Sequence, residues 1–227
     1  MKYAIVFPGQ GSQSLGMLAD LADNFPIVKD TFTEASDALG FDLWALTQND
    51  QAALNQTQNT QPAMLAAGVA TYRALTSEAA LSPVCMAGHS LGEYSALVAA
   101  GALNFSDGIG LVRTRAQLMQ SAVPEGVGAM AAILGLEDEV VVKVCSDYAG
   151  EGIVQAVNFN SNGQVVIAGN KAAVDATCEA MKAAGAKRAV VLPVSVPSHC
   201  PLMDDAAAEF KIAVDAVAFN MGDVDVL

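Results

Sequence analysis

The sequence predicts an α/β protein in which a parallel-sheet core carries an inserted, ferredoxin-like βαββαβ subdomain. Three observations predict it. Tyr3-Ala4-Ile5-Val6-Phe7 is a continuous apolar run stopped by Pro8-Gly9, the pattern of a buried parallel strand. A second short run, Val84–Ala87, empties into Gly88-His89-Ser90-Leu91-Gly92 and then into helix formers. From Gly128 onward the texture changes, and strands and helices follow in the order βαββαβ.

The first strand opens into the loop Pro8-Gly9-Gln10-Gly11-Ser12-Gln13. Helical patterns follow over Ile27–Leu39 and Pro62–Leu75, the second with Thr60 as its cap and Pro62 in its first turn. After the second strand, Glu93–Ala100 reads as a helix. Ser106 is the expected cap of another, which runs to about Val123 and stops at Pro124-Glu125-Gly126. Within the insert, Ala129–Leu136 reads as a strand and Glu137–Tyr148 as a helix. Ile153–Phe159 and Gln164–Ala168 form a hairpin, because Asn162-Gly163 is a tight-turn signal. Lys171–Ala184 is a helix, Ala189–Val194 a strand, and Pro201 opens a last helix to about Val217. The domains expected are therefore a core of 1–126 with 196–227, and an insert of 127–195.

Composition narrows the function classes. The 227 residues are 53% apolar and 15% charged, enough to bury a core. A net charge of −13 repels phosphates and argues against nucleic acid. Cys85, Cys145, Cys178 and Cys200 show no CxxC spacing and read as reduced, buried thiols of a cytoplasmic protein. No metal site is expected. No apolar run approaches the roughly 18 residues of a membrane helix, so no membrane partner is expected.

Strand, Gly-x-Ser-x-Gly, helix is the context of a nucleophile elbow, and it makes Ser90 the candidate nucleophile. Only two histidines exist. His89 adjoins Ser90 and points elsewhere at such a turn, which favours a packed, structural imidazole. His199, 109 residues further on, lies in the loop Ser195–Pro201 and is the candidate base. Asp204 and Asp205 could orient it, yet they also fall where acidic residues suit a helix start. A backbone carbonyl could do the same work. An oxyanion hole requires two amides; Leu91 N–H follows the nucleophile, and Gln10 N–H in the glycine loop is the second candidate. The alternative of a dinucleotide fingerprint at Gly9-x-Gly11 fails, because Ser14 stands where the third glycine belongs. Arg115 sits in the middle of an apolar helix face formed by Leu111, Val112, Ala116, Leu118, Met119 and Ala122. An inward guanidinium requires an anion. Either an internal carboxylate or the acid group of a substrate meets that need. Arg113 falls on the opposite face with Gln117 and Gln120, as a solvated charge.

These motifs carry a resemblance. Phe7–Gln13, Gly88–Glu93, Arg115 with Met119-Gln120 and Val123–Gly126, Asn158–Gly169, and Pro193–Pro201 resemble, in order, the malonyl-CoA:acyl carrier protein transacylases of bacterial fatty acid synthesis. The resemblance implies a hydrolase-like core with the ferredoxin-like insert. It implies Ser90 as nucleophile, His199 as base, the Gln10 and Leu91 amides as oxyanion hole, and Arg115 as ligand of the malonyl carboxylate. It implies malonyl-CoA and acyl carrier protein as partners, no cofactor, and a histidine held by a backbone carbonyl. Family members continue beyond the position of Leu227, so a fragment or shortened form is expected, with the segment that orients His199 lying further on. Lys182, Lys187 and Arg188 are the densest basic cluster and the expected docking patch for acyl carrier protein. A serine thioesterase or esterase, or a non-catalytic remnant that binds the carrier, are the other functions the residues leave open.

Overall fold

The computed structural model describes every residue except Met1, Glu125 and Ser195. Glu125 of the expected helix stop and Ser195 of the histidine loop thus lie outside the described residues. The chain groups into two compact units, Met1–Gln117 with Lys211–Leu227, and Leu118–Phe210.

In the first unit, β1 (Ala4–Phe7) pairs in parallel with β2 (Cys85–Gly88), Ala4 opposite Cys85 and Phe7 opposite Gly88. The chain end adds a bridge to the other side of β2, where Met86 N–H donates to Asp225 O and Leu227 N–H to Met86 O. Between the strands run α1 (Ala19–Asn24), α2 (Ile27–Leu39), α3 (Leu43–Asn49), α4 (Gln51–Leu54) and the long α5 (Thr57–Glu78). α1, α3 and α4 are not predicted by the sequence pattern, because they are too short to show a period. Their caps were visible all the same: Asp42 accepts from Ala45 N–H, and Asp50 from Ala53 N–H. Phe32, Leu43, Leu54 and Leu65 are fully buried, and the Phe32 and Trp44 rings meet edge-on at 5.0 Å.

α5 corrects the sequence expectation. It starts at Thr57, not near Pro62, and Pro62 lies inside it. Proline has no N–H to give the carbonyl four residues back, here Gln58. Arg113 supplies the missing donor. Its Nη1 lies 2.7 Å from Gln58 O and 2.7 Å from Asn59 Oδ1, with the guanidinium 5.6 Å from the Phe41 ring centroid. Arg113 is therefore not a solvated charge but a half-buried strut between helices.

α6 (Gly92–Ala99) follows β2, and α7 (Phe105–Ser121) follows α6. The cap of α7 is Asn104, whose Oδ1 accepts from Ser106 and Asp107 N–H, rather than Ser106.

In the second unit, β3 (Gly128–Leu134), α8 (Asp138–Ser146), β4 (Val154–Ser161), β5 (Gln164–Asn170), α9 (Lys171–Ala183) and β6 (Arg188–Val191) succeed one another. The strands form one antiparallel sheet in the order β4-β5-β3-β6. The β4–β5 hairpin closes with Ser161 opposite Gln164, and Gly163 takes the left-handed conformation (φ 71°) that its turn requires. Ile133, Ile167, Val141, Cys145, Val174 and Met181 pack α8 and α9 against the sheet. Burial pushes the Cys145 thiol up to about 11, so it stays neutral and structural. The rest of this unit is a loop, a 3₁₀ turn at Pro201–Met203, and the start of α10 (Asp204–Asp215). The last helix thus ends before the expected Val217 and begins as a tighter turn.

Candidate active site

Ser90 stands where β2 turns into α6. The turn is sharp because two glycines allow it. A Cβ on Gly88 would overlap the backbone of Gly92 and Glu93, and one on Gly92 would overlap the Phe7 carbonyl. Ser90 itself has φ 50°, a conformation that costs a non-glycine residue about 1–3 kcal/mol. The strain lifts the hydroxyl off the sheet, as the motif predicts. Leu91 follows in the N-cap position, its side chain buried in the core. Among the described residues its N–H has no protein acceptor. It stands one residue past Ser90, at the positive end of α6.

The glycine loop after β1 comes up against the same turn. Gly9 is buried, and a Cβ there would meet the His89 carbonyl and ring. His89 N–H donates to Phe7 O at 3.0 Å. His89 is an exposed residue whose ring edge lies beside Gly9. Gln10 sits at the exposed tip of the loop, and its Nε2 reaches Thr57 Oγ1 at 3.3 Å. The glycine loop is thereby tied to the first turn of α5.

Arg115 points inward, as its place on the apolar face of α7 predicts. Its Nη2 lies 3.1 Å from Ser90 Oγ, and its Nη1 3.0 Å from Gln61 Oε1. The Tyr94 ring centroid is 5.9 Å from the guanidinium carbon. Burial lowers the pKa of Arg115, with Tyr94 and Glu93 acting in the opposite direction. Among the described residues Arg115 is in no ion pair. Its Gln61 and Ser90 partners are an amide and a hydroxyl, so among the described residues no internal Arg–carboxylate pair is present. A guanidinium withdrawn from water and not neutralised favours an arriving carboxylate.

His199 belongs to the second unit, on a loop laid across the sheet face opposite α8 and α9. Cys200 is buried with Met130, Val166 and Ala168, and its Sγ donates to Pro197 O. Pro197 fits against Gly128, where a Cβ would strike its ring. Between these anchors His199 is exposed, with φ 67°. Leu18, Ser90 and His199 are the non-glycine residues with positive φ among those described. Two of the three are thus the residues the sequence picked out for chemistry. Asp204 and Asp205 are exposed in the first turn of α10, where the helix dipole explains them.

Sequence reasoning missed Gln61, Tyr94 and Thr57. One signal was present for Gln61: a long amide in the apolar run Gln61-Pro62-Ala63-Met64-Leu65 cannot be buried without a polar partner.

Residues 4–225 match the acyl transferase domain family. The chain belongs to that family. It is an acyltransferase, and its relatives are more specific in name. The malonyl CoA-acyl carrier protein transacylase of Escherichia coli K12 is 57% identical over all 227 residues, which span 74% of its length. The Bacillus subtilis protein of the same name is 45% identical, with 72% of its length covered. Among solved structures, an acyl carrier protein S-malonyltransferase from Vibrio cholerae superposes with a TM-score of 0.96 at 57% identity, covering all of this chain and 74% of that one. A malonyl-transacylase solved in complex with its type II PKS acyl-carrier protein gives 0.98 at 55%, covering all of this chain and 74% of that one. The family resemblance read from the motifs is therefore met across the chain. No helix among the described residues is long and apolar enough to cross a membrane.

Proposed function

We propose that this acyltransferase moves a malonyl group from malonyl-CoA to the phosphopantetheine thiol of acyl carrier protein, in two steps through malonyl-Ser90. One observation carries the reading. The Arg115 guanidinium touches the Ser90 hydroxyl, and among the described residues it is in no ion pair. An acyl group bound to Ser90 presents to Arg115 whatever lies two bonds beyond its carbonyl carbon. In malonyl that is a carboxylate.

In the first step Ser90 Oγ attacks the thioester carbonyl while His199 accepts its proton. The Gln10 and Leu91 amides hold the oxyanion of the tetrahedral intermediate. The intermediate collapses, the C–S bond breaks, and the CoA sulfur takes the proton from His199. In the second step the carrier thiol gives its proton to His199 and attacks malonyl-Ser90. The C–O bond then breaks, and Ser90 regains its proton. The architecture proposed with this mechanism is a hydrolase-like core of 1–126 and 196–227 with a ferredoxin-like insert of 127–195. The strand order β4-β5-β3-β6 is the arrangement of that second fold.

Intact-mass spectrometry after mixing with malonyl-CoA should reveal a malonyl adduct that Ser90→Ala abolishes, and added acyl carrier protein should remove it as malonyl-carrier. Release as free malonate instead would make the protein a thioesterase. An adduct that persists in the alanine variant would overturn the assignment of Ser90.

A further inference from the structure

We infer that Gln61 is a positioning residue that sets the acyl selectivity of the site, an inference that rests on the malonyl reading above. Gln61 is 1% exposed, yet it carries a polar amide into an otherwise apolar stretch of α5. Burying such a group without a partner costs about 1–3 kcal/mol. Its Oε1 accepts from Arg115 Nη1 at 3.0 Å, while the other terminal nitrogen of the same guanidinium reaches Ser90. Gln61 thus fixes the rotation of the guanidinium plane and aims Nη2 at the acyl site.

The first turn of α5 is built to hold that amide still. Arg113, from the same helix as Arg115, binds Gln58 O and Asn59 Oδ1 on either side of the gap made by Pro62. Asn59 Nδ2 donates to Ala53 O at 2.9 Å, and Thr57 Oγ1 accepts from Gln10. A buried side chain on a clamped turn is a rigid reference point.

The chemistry of the residue matters as much as its position. Arginines in protein interiors pair with carboxylates, which match the guanidinium fork in charge and shape. A glutamate at position 61 would fit the same space and neutralise Arg115 permanently. A substrate carboxylate would then enter as a net extra negative charge in a desolvated pocket. Glutamine gives the same geometry without the charge, so the cation remains available to the substrate. The neutral tether keeps Arg115 in place without itself neutralising it.

The test is a competition assay in one tube, malonyl-CoA against acetyl-CoA, read as the two Ser90 adduct masses. Partial unfolding of a variant lowers both adducts together and leaves their ratio unmoved, so the ratio isolates selectivity. Gln61→Glu should lower the malonyl-to-acetyl ratio by about 10- to 150-fold, the range expected when a charged hydrogen bond is lost. The loss should fall on KM for malonyl-CoA more than on kcat. Gln61→Met, which removes the acceptor without adding charge, should lower the ratio less, by about 10-fold, the scale of a single hydrogen bond. A wild-type ratio in both variants would overturn the role of Gln61 while leaving malonyl transfer intact. Wild-type protein that forms no malonyl adduct would overturn the malonyl reading itself.

Discussion

At the scale of single residues, the proposed site is organised around one buried cation, Arg115, which is in no ion pair among the described residues. Arg115→Ala removes it and should invert the preference from malonyl toward acetyl. The expected change in the ratio of kcat/KM values is about 10- to 150-fold, because acetyl leaves a desolvated guanidinium unserved in the parent and meets none in the variant. Unchanged ratios would reduce Arg115 to a packing residue. The two variants at this locus are distinguishable: Arg115→Ala leaves no cation, whereas Gln61→Glu leaves one already satisfied. Ser90, Leu91 and Arg115 were legible in the sequence because each is announced locally, by flanking glycines or by a charge on an apolar face. Gln61 was not, since its partner lies 54 residues away and no period links them. Arg113 was misread for the same reason. Its helix face is polar in sequence yet lies against the first turn of α5, and the need for its donor arises from Pro62 on that other element.

At the scale of elements, the Arg113–Pro62 relation explains how a helix tolerates an internal proline. An interior proline ordinarily costs about 3 kcal/mol, part of it from the orphaned carbonyl. Arg113→Met should orphan Gln58 O and release the first turn of α5. A loss of about 1–3 kcal/mol follows, or a drop in Tm of a few degrees for a chain of this size. Restoring the backbone donor by Pro62→Ala should recover part of that loss, so the double variant should be less destabilised than the two single effects added. Strict additivity in thermal melts would show that Arg113 does not serve that carbonyl. The element order of the second unit was readable in full, because its helices and strands are long enough to show periods and its hairpin carries Asn-Gly. The helices before α5 were not, since four to seven residues are too few for a period and their signal lay in the aspartate caps instead.

For the whole molecule, the governing quantity is charge. At −13 the chain repels an acidic carrier protein at long range, and productive docking depends on a local reversal of the field. Lys182, Lys187 and Arg188 gather at the end of α9 and the start of β6, all exposed. They are not equivalent. Lys182 already pairs with Glu179 at 2.7 Å on its own helix, an exposed pair that softens its field. Lys187 lies with its stem against Gly135, which limits where its ammonium can go, and Arg188 opens β6 opposite Leu134. The patch proposed for the carrier therefore rests on Lys187 and Arg188 more than on Lys182. Reversing both, with Lys187→Glu and Arg188→Glu, should raise KM for acyl carrier protein several-fold at low salt and leave formation of malonyl-Ser90 from malonyl-CoA unaffected. The difference from the parent should shrink as ionic strength approaches that of a ~10 Å Debye length, about 0.1 M, because exposed charges act through screened fields. Reversal at Lys182 with Glu179→Lys, which swaps the pair without changing its net charge, is the internal control and should leave KM for the carrier near the parent value. Equal losses in both half-reactions, or a KM insensitive to salt, would place the docking surface elsewhere on the molecule.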